Sequence, residues 1–210
     1  GKRALALDLK SAAGKTALEK VIAGADVFIE GFRPGVIDRL GLGYERVKTL
    51  SPGIIYVSIS GYGQTGPLAH KPAMDPILQA YTGFMAANAD GSGTPMRAQP
   101  IIVDMTTALY AYQAVAASLF AKRDDPTPRY LDISLMAAAA NLQVVRFMST
   151  MQEGAEPPPG STPSGVYRTK DGFTHILILK ERDWLSFCDA LDLKDFKANK
   201  DYRDNRKRAA

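Results

Sequence analysis

The chain has 210 residues, of which 46% are hydrophobic and 23% are charged, and its formal net charge is +4. This composition is typical of one globular domain or slightly more, and the mildly basic balance favours an anionic ligand but gives no support to a nucleic-acid partner. A single cysteine, Cys188, excludes a disulfide framework, and two distant histidines, His70 and His175, argue against a metal site. No apolar run reaches the roughly 20 residues that span a bilayer and no signal peptide is evident, so we expect a cytoplasmic protein without a membrane contact.

The start of the chain predicts a βαβ unit. Alternating apolar and polar residues indicate a strand over residues 3–10, and apolar residues at helical spacing indicate a helix over 15–23. A second strand is predicted over 26–30. A strand, a helix and a strand within roughly 30 residues predict two parallel strands of one sheet.

Two arginines follow the second predicted strand. Pro34 and Gly35 predict a turn and a short helix, which brings Arg33 and Arg39 near the carboxyl edge of the sheet and beside a helix N-terminus. Guanidinium groups in that position suit a phosphate. The alternative is that both arginines are solvated surface residues.

A third predicted strand, over 54–60, runs into the glycine-rich segment 61–67. The segment matches the G-x-G-x-x-G spacing of dinucleotide-binding proteins. That fingerprint also requires a helix starting at the last glycine, whereas Pro67 and the polar residues after it predict a loop. We therefore discount a dinucleotide site and expect the glycines to let the backbone approach a ligand or another segment closely.

Asp104 lies at a predicted junction between a strand and a helix. The apolar run 100–103 predicts a short buried strand, and the alanine-rich residues after it predict a helix to about residue 122. A carboxylate at the carboxyl end of such a strand lies where ligands bind in open α/β sheets. The alternative is that Asp104 is only the N-cap of the helix.

The remaining predicted elements continue this pattern and then change character. They are helices over 44–50, 73–87, 135–151 and 181–191, a strand over 130–134, and a hairpin of 166–168 with 174–179 around the turn 170–172. Asp75 and Pro76 are expected to be the N-cap and the first residue of the helix over 73–87. The apolar helix over 135–151 is expected in the core or at a subunit interface.

These elements predict an α/β fold, a Rossmann-like open parallel sheet with helices on both faces, followed by the start of a smaller α+β domain. Residues 1–153 are predicted to form part of the large domain, 154–165 a linker rich in proline, glycine and serine, and 166–210 the start of the small domain. We expect the chain to be an internal portion of a longer protein.

Several motifs stand in the same order as in one known enzyme family. They are Lys2-Arg3 with Leu7-Asp8-Leu9-Lys10, the run from Ala25 to Gly35, Arg39-Leu40-Gly41-Leu42-Gly43, the run from Ile59 to Pro67, Val103-Asp104, and Tyr167 with Asp171-Gly172. With these motifs the chain resembles the class III CoA-transferase family, which contains formyl-CoA and carnitine CoA-transferases and the related α-methylacyl-CoA racemases. The resemblance covers nearly the whole chain.

The resemblance implies a transfer of coenzyme A from an acyl-CoA to a small carboxylic acid. In that family an aspartate attacks the acyl-CoA thioester and forms a mixed anhydride and then an aspartyl-CoA thioester, and the matching residue is Asp104. Coenzyme A is then part of the substrate, with no tightly bound cofactor and no metal. The resemblance also implies an interlocked homodimer, in which each chain threads through a ring formed by the other.

The resemblance further implies which residues contact coenzyme A. They are Leu7, Leu9 and Lys10 at the adenine and 3′-phosphate end, Gly31 and Phe32 along the nucleotide, Arg39 at a phosphate, and Lys71 near coenzyme A. The alternatives to transfer are an acyl-CoA racemase or epimerase that uses Asp104 as a base, and a non-catalytic CoA-binding fragment.

Two departures from the family pattern bear on the reaction and on its substrates. Racemases carry a histidine immediately before the position of Asp75, and here that residue is Met74, which cannot move a proton. Formyl-CoA transferases carry a run of glycines over the site, and here the matching segment, 158–165, is rich in proline and serine. The first departure disfavours racemisation, and the second disfavours formate and oxalate.

Overall fold

The computed structural model describes residues 1–154 and 161–209, and the chain forms two compact units that divide between Val144 and Val145. The elements of the first unit are α1 (Ala12–Ala23), β1 (Val27–Glu30), α2 (Val36–Arg39), α3 (Tyr44–Leu50), β2 (Ile55–Ser60), α4 (Asp75–Tyr81), α5 (Phe84–Ala87), α6 (Ile102–Ala121), β3 (Arg129–Ser134) and α7 (Leu135–Asn141). Then follow α8 (Val144–Glu153), β4 (Ser164–Arg168), β5 (Phe173–Leu177), α9 (Glu181–Ala190), α10 (Lys194–Ala198), the 3-10 helix Lys200–Arg203 and α11 (Asn205–Ala209).

The first unit is built on a parallel sheet with the strand order β1-β2-β3. Ile55 pairs with Val27 on one side and with Arg129 on the other, so β2 is the central strand. Successive side chains of a strand point to opposite faces, and both Tyr56 and Val57 are at most 1% exposed. The central strand is therefore buried on both faces, as is usual for parallel sheets covered by helices.

Two apolar clusters join the helices of the first unit, and the first of them includes the central strand of the sheet. Tyr56 of β2 packs with buried side chains from α1, α2 and α3, and its ring stacks on Tyr130 of β3 at 5.5 Å between centroids. The second cluster joins Leu78 of α4, Val103 of α6 and Ala139 of α7. The second cluster therefore ties α4 to the start of α6 and to α7.

The predicted parallel sheet is confirmed, and the predicted strands over 26–30, 54–60 and 130–134 correspond to β1, β2 and β3. The helix predicted over 44–50 has the bounds of α3. Two other predicted strands are wrong. Residues 3–10 contain no strand and end in a turn, and residues 102 and 103 belong to α6. A strand needs a neighbour that accepts and donates its backbone hydrogen bonds, and alternation along the sequence cannot supply one.

Two predicted helices are each divided into two. The helix over 73–87 breaks at Gly83, whose φ of +77° places it in the left-handed region that ends many helices. The helix over 135–151 breaks between α7 and α8, where the buried Gln143 donates to the carbonyl and hydroxyl oxygens of Thr82, each at 3.1 Å. Gln143 therefore forms hydrogen bonds with the residue at the C-terminal end of α4.

The second unit contains the predicted hairpin. β4 and β5 are antiparallel, with Val166 opposite His175, and His175 is exposed. The core of this unit joins Ile178, Trp184 and Cys188, and the Arg208 guanidinium lies 5.0 Å from the centre of the Trp184 ring. The predicted linker falls partly on 155–160, which lie outside the described residues. The predicted domain boundaries therefore stay a prediction.

Candidate active site

The carboxyl ends of the three strands open onto a cavity of about 460 Å³. Its walls are the loop that follows β1, the end of β2, the segment before α4, and Leu135 directly after β3. The lining residues are Gly31, Phe32, Arg33, Pro34, Ile59, Ser60, Gly61, Ala69, Lys71, Pro72, Ala73, Met74, Ile77 and Leu135. This is the edge of an open α/β sheet at which ligands bind.

The cavity combines apolar walls with two cationic side chains. Phe32, Met74 and Ile77 are 43%, 63% and 39% exposed, so the cavity presents apolar surface to a ligand. Arg33 and Lys71 are exposed and are the charged residues of the lining as far as the chain is described. An anion with an apolar portion fits this combination of groups.

Gly61, the first residue of the glycine-rich loop, lies in the cavity wall, and it allows the close backbone approach that the sequence predicted. A Cβ on Gly61 would lie 2.2 Å from the Ala73 Cβ, so only glycine lets the two segments meet here. The loop is also pinned, because Ser60 Oγ accepts from the Gly63 N–H at 3.0 Å and Asp132 Oδ2 accepts from the Gln64 N–H at 2.9 Å. The wall is therefore held by hydrogen bonds to β2 and β3.

A buried polar group near this wall was not predicted from the sequence. The Glu30 carboxylate is 5% exposed, accepts from the Ser58 hydroxyl and accepts from the Phe32 N–H at 2.9 Å. Gln64 Nε2 donates to Ser58 Oγ at 2.6 Å. The sequence signal that could have indicated this group is a glutamate at the end of an apolar strand. Its contacts fix the backbone that leaves β1, and so the position of Phe32 in the cavity.

Asp104 lies in the first turn of α6 and is exposed. It neither follows a strand nor caps the helix, so both expectations for its local structure are wrong. The cap comes from α4, because Asp75 Oδ2 accepts the backbone N–H groups of Val103 at 2.7 Å and of Asp104 at 3.3 Å. The Asp75 side chain is not an N-cap of its own helix, whose cap position is Met74.

The environment of Asp104 affects its acidity. Although the Asp104 side chain is exposed, the protein around it removes part of its hydration. This desolvation, and then the negative charge of Asp75, raise the pKa of the Asp104 carboxyl above its ordinary value. A carboxylate with a raised pKa is more basic and is a stronger nucleophile than an ordinary aspartate. The position can therefore support covalent chemistry above that pKa.

The start of α4 joins Asp104 to the cavity. Met74 and Ile77 line the cavity, whereas Asp104 does not. Between them in sequence, Asp75 binds the backbone of Asp104. One short helix therefore contacts both the cavity and the turn that carries Asp104.

The structure brings some predicted ligand residues together and leaves others apart. Gly31, Phe32 and Lys71 line the cavity with Arg33. Arg39 lies outside the lining, and its guanidinium lies close to Gly35.

The predicted adenine-site residues also lie outside that lining. Leu7 and Leu9 are half-buried and Lys10 is exposed. The Lys10 N–H donates to Asp8 Oδ1 at 2.9 Å in the turn before α1. The ligand roles of these residues stay predictions.

The first unit has a further cavity of about 530 Å³ between α6, β3 and α7, lined by Tyr110, Asp132 and Asn141 among others. It contains none of the predicted site residues.

Within residues 1–154 and 161–209, no group of three or more His, Cys, Asp or Glu side chains could hold a metal ion. None of the helices described combines the length and the apolar character needed to cross a membrane.

Comparison with known proteins identifies the family. Residues 1–210 match the family described as CoA-transferase family III. Human succinyl-CoA:glutarate CoA-transferase is 31% identical over 213 residues, which cover 97% of this chain and 48% of that protein. Acetyl-CoA:oxalate CoA-transferase from Acetobacter aceti is 30% identical, over 100% of this chain and 56% of that protein. The chain thus spans about half the length of these curated relatives.

Solved structures agree with this match. A hypothetical protein from Mycobacterium tuberculosis superposes with a TM-score of 0.88 and 26% identity, over 100% of this chain and 57% of that chain. A CAIB/BAIF family protein from Brucella suis gives a TM-score of 0.82 with 25% identity, over 100% and 57% of the two chains. The resemblance in the sequence motifs is confirmed, and the chain belongs to CoA-transferase family III.

Proposed function

We propose that the protein moves coenzyme A from an acyl-CoA donor to a carboxylic acid acceptor, with Asp104 as the nucleophile. Family membership supports the reaction class. The observation that carries the residue assignment is the exposed Asp104 carboxylate, with its raised pKa, on a turn held by the same helix that lines the cavity.

The proposed reaction proceeds through two kinds of covalent intermediate. A carboxylate oxygen of Asp104 attacks the thioester carbonyl carbon, the carbon–sulfur bond breaks, and CoA leaves as a thiolate. This thiolate attacks the side-chain carbonyl of Asp104 in the resulting anhydride and releases the donor acid as a carboxylate. The acceptor carboxylate then attacks the aspartyl thioester, and the thiolate attacks the acceptor acyl group of the new anhydride, which regenerates Asp104.

Coenzyme A is proposed to bind along the cavity at the carboxyl edge of the sheet. Gly31 and Phe32 offer open backbone and an aromatic face, and Arg33 and Lys71 offer positive charge for phosphates. Leu7, Leu9, Lys10 and Arg39 are proposed to extend the contacts, on the basis of the family resemblance alone.

The two arginines after β1 can be distinguished by binding. We expect Arg33→Ala to raise the Kd for coenzyme A by about tenfold, because a charge-assisted hydrogen bond contributes about 1.5–3 kcal/mol. Arg39→Ala should have a smaller effect on this Kd, because Arg39 is proposed as a contact on the family resemblance alone and does not line the cavity. Calorimetric titration measures the Kd of both variants, and a larger loss of affinity with Arg39→Ala would contradict the placement of Arg33 at a phosphate.

The relatives indicate which substrates to assay. Succinyl-CoA with glutarate is the proposed first pair, because relatives at about 30% identity carry that name. Oxalate is the comparison acceptor, because another relative is named for it and the proline-rich segment 158–165 disfavours it.

A trapping experiment tests the proposal. The full-length protein is mixed with succinyl-CoA, treated with hydroxylamine, and digested for mass spectrometry. Hydroxylamine converts an aspartyl anhydride or thioester to a hydroxamate, which we expect on Asp104. Binding of coenzyme A without any adduct would refute the proposal, and deuterium entering the α-carbon of an acyl-CoA without an acceptor would favour a racemase instead.

We also propose an interlocked homodimer, a cytoplasmic location and no tightly bound cofactor. The large apolar side chains exposed on α6, which include Met105, Leu109, Tyr112 and Phe120, support a subunit interface. The mass of the protein in solution tests the dimer.

A further inference from the structure

Asp75 is a buried carboxylate whose two oxygens both have partners at the start of α6 or within α4. Its side chain is 3% exposed. Oδ2 accepts the N–H groups of Val103 and Asp104, at 2.7 and 3.3 Å, and Oδ1 accepts from Gln79 Nε2 at 2.7 Å. One partner of Asp75 is therefore the backbone of the proposed nucleophile itself.

Gln79 holds Asp75 in this position. It lies one turn further along α4 and is 0% exposed. Its Oε1 accepts the Ala98 N–H at 2.9 Å while its amide nitrogen donates to Asp75. Leu78 and Val103 pack in the same cluster. The first turn of α6 is therefore fixed to α4 by hydrogen bonds and by packing.

The cap has a consequence for the nucleophile. Unpaired N–H groups at a helix start attract a nearby carboxylate, lower its pKa and so weaken it as a nucleophile. Because Asp75 already occupies the N–H groups of Val103 and Asp104, those groups do not draw the Asp104 carboxylate back onto its own helix. The negative charge of Asp75 also opposes any fall in the pKa of Asp104.

Other charged groups near α6 do not explain this effect. The elements that pack most closely on α6 contribute Asp75 and Tyr81 from α4, Tyr56 from β2, and Arg129, Tyr130 and Asp132 from β3, with none from α7. Among these groups, Asp75 is the one whose charge raises the pKa of Asp104.

We propose that Asp75 is a positioning residue for CoA transfer, which caps the first turn of α6 and leaves the Asp104 carboxylate free to attack the thioester. This inference rests on the proposed function, in which Asp104 is the nucleophile.

The variant Asp75→Asn in the full-length protein tests the inference. Its amide oxygen can still accept one N–H, but the negative charge is lost. We expect kcat to fall about 10- to 100-fold, since small displacements of a reacting group cost that much, while KM for the acyl-CoA stays within about twofold because Asp75 does not line the cavity. The acid limb of the kcat/KM profile should move to lower pH, because removal of a neighbouring negative charge lowers the pKa of Asp104.

Asp125→Asn is the matched control. Asp125 also accepts a backbone N–H, that of Thr127 at 3.1 Å, and it lies just beyond the other end of α6. It should keep the wild-type kcat and pH profile. An unchanged kcat and pH profile in Asp75→Asn, or an equal loss in both variants, would overturn the inference.

Two further measurements keep the test decisive. If Asp75→Asn does not fold, Gln79→Leu removes the donor that holds Asp75 and must lower kcat at constant KM, or the inference is wrong. Trapping with hydroxylamine separates the two proposals. A wild-type protein without an adduct on Asp104 overturns the proposed function and this inference with it, whereas a normal adduct together with an unaffected Asp75→Asn overturns this inference alone.

Discussion

Replacing Asp104 with alanine is expected to reduce CoA transfer at least about a thousandfold, because the variant has no carboxylate to form either covalent intermediate. Alanine is the best helix former, and the α6 cap comes from Asp75, so the first turn of α6 should be retained. The measurement is the steady-state transfer rate with the donor and acceptor proposed above. Binding of coenzyme A, measured in parallel, should persist because Asp104 does not line the cavity.

Two companion variants make this result specific. Asp104→Asn keeps the shape of the side chain and should be as inactive as Asp104→Ala, since an amide cannot form the anhydride. Asp90→Asn removes an exposed carboxylate that accepts the Ser92 and Thr94 N–H groups in a surface turn, and it should retain the wild-type rate. A transfer rate above roughly a tenth of the wild-type value in Asp104→Ala would exclude Asp104 as the nucleophile.

Replacing Leu78 with alanine should destabilise the first unit by about 2–5 kcal/mol, the usual cost of removing a fully buried leucine and leaving a cavity. Leu78 is 0% exposed and contacts the cluster that contains Val103 and Ala139. Because the same cluster fixes α4 against α6, the surviving folded protein should also transfer CoA more slowly. Urea denaturation followed by circular dichroism gives the free energy of unfolding.

Leu5→Ala is the matched control for this loss of stability. Leu5 is 64% exposed, and its truncation should change the free energy of unfolding by less than about 0.5 kcal/mol. Equal losses in the two variants would show that the cluster around Leu78 does not stabilise the first unit more than an exposed leucine does.

The three strands of the parallel sheet could be predicted from the sequence. The runs that became β1 and β2 are short, mostly apolar and rich in β-branched or aromatic residues, whereas β3 mixes Tyr, Leu and Ile with polar residues. Helical segments separate the three runs. Such spacing requires crossover connections and so a parallel sheet. The placement of Arg33 at the carboxyl edge followed from the same reasoning, whereas three other residues that line the cavity, Gly31, Phe32 and Lys71, came from the family resemblance alone.

The local structure at the start of α6 could not be predicted in the same way. A short apolar run before a helix can be a strand or the first turn of that helix, and periodicity does not distinguish the two. The outcome depended on Asp75, which is 28 residues before Val103 and supplies the cap through space. The buried contacts of Glu30 with Ser58 and of Gln143 with Thr82 are also non-local, and no local pattern identifies such partners.

The sequence by itself indicated β1, β2 and β3, their parallel direction and the reactive residue types, because these depend on local hydrophobic patterns and on motifs. The order of the strands within the sheet came from the structure. Only the tertiary structure decided which of two carboxylates caps α6. Asp75 and Asp104 each precede or open an apolar helical run, and each could be a cap by sequence. Packing of Leu78 against Val103 buries Asp75 at the start of α6, and so Asp75 is the cap while Asp104 stays exposed.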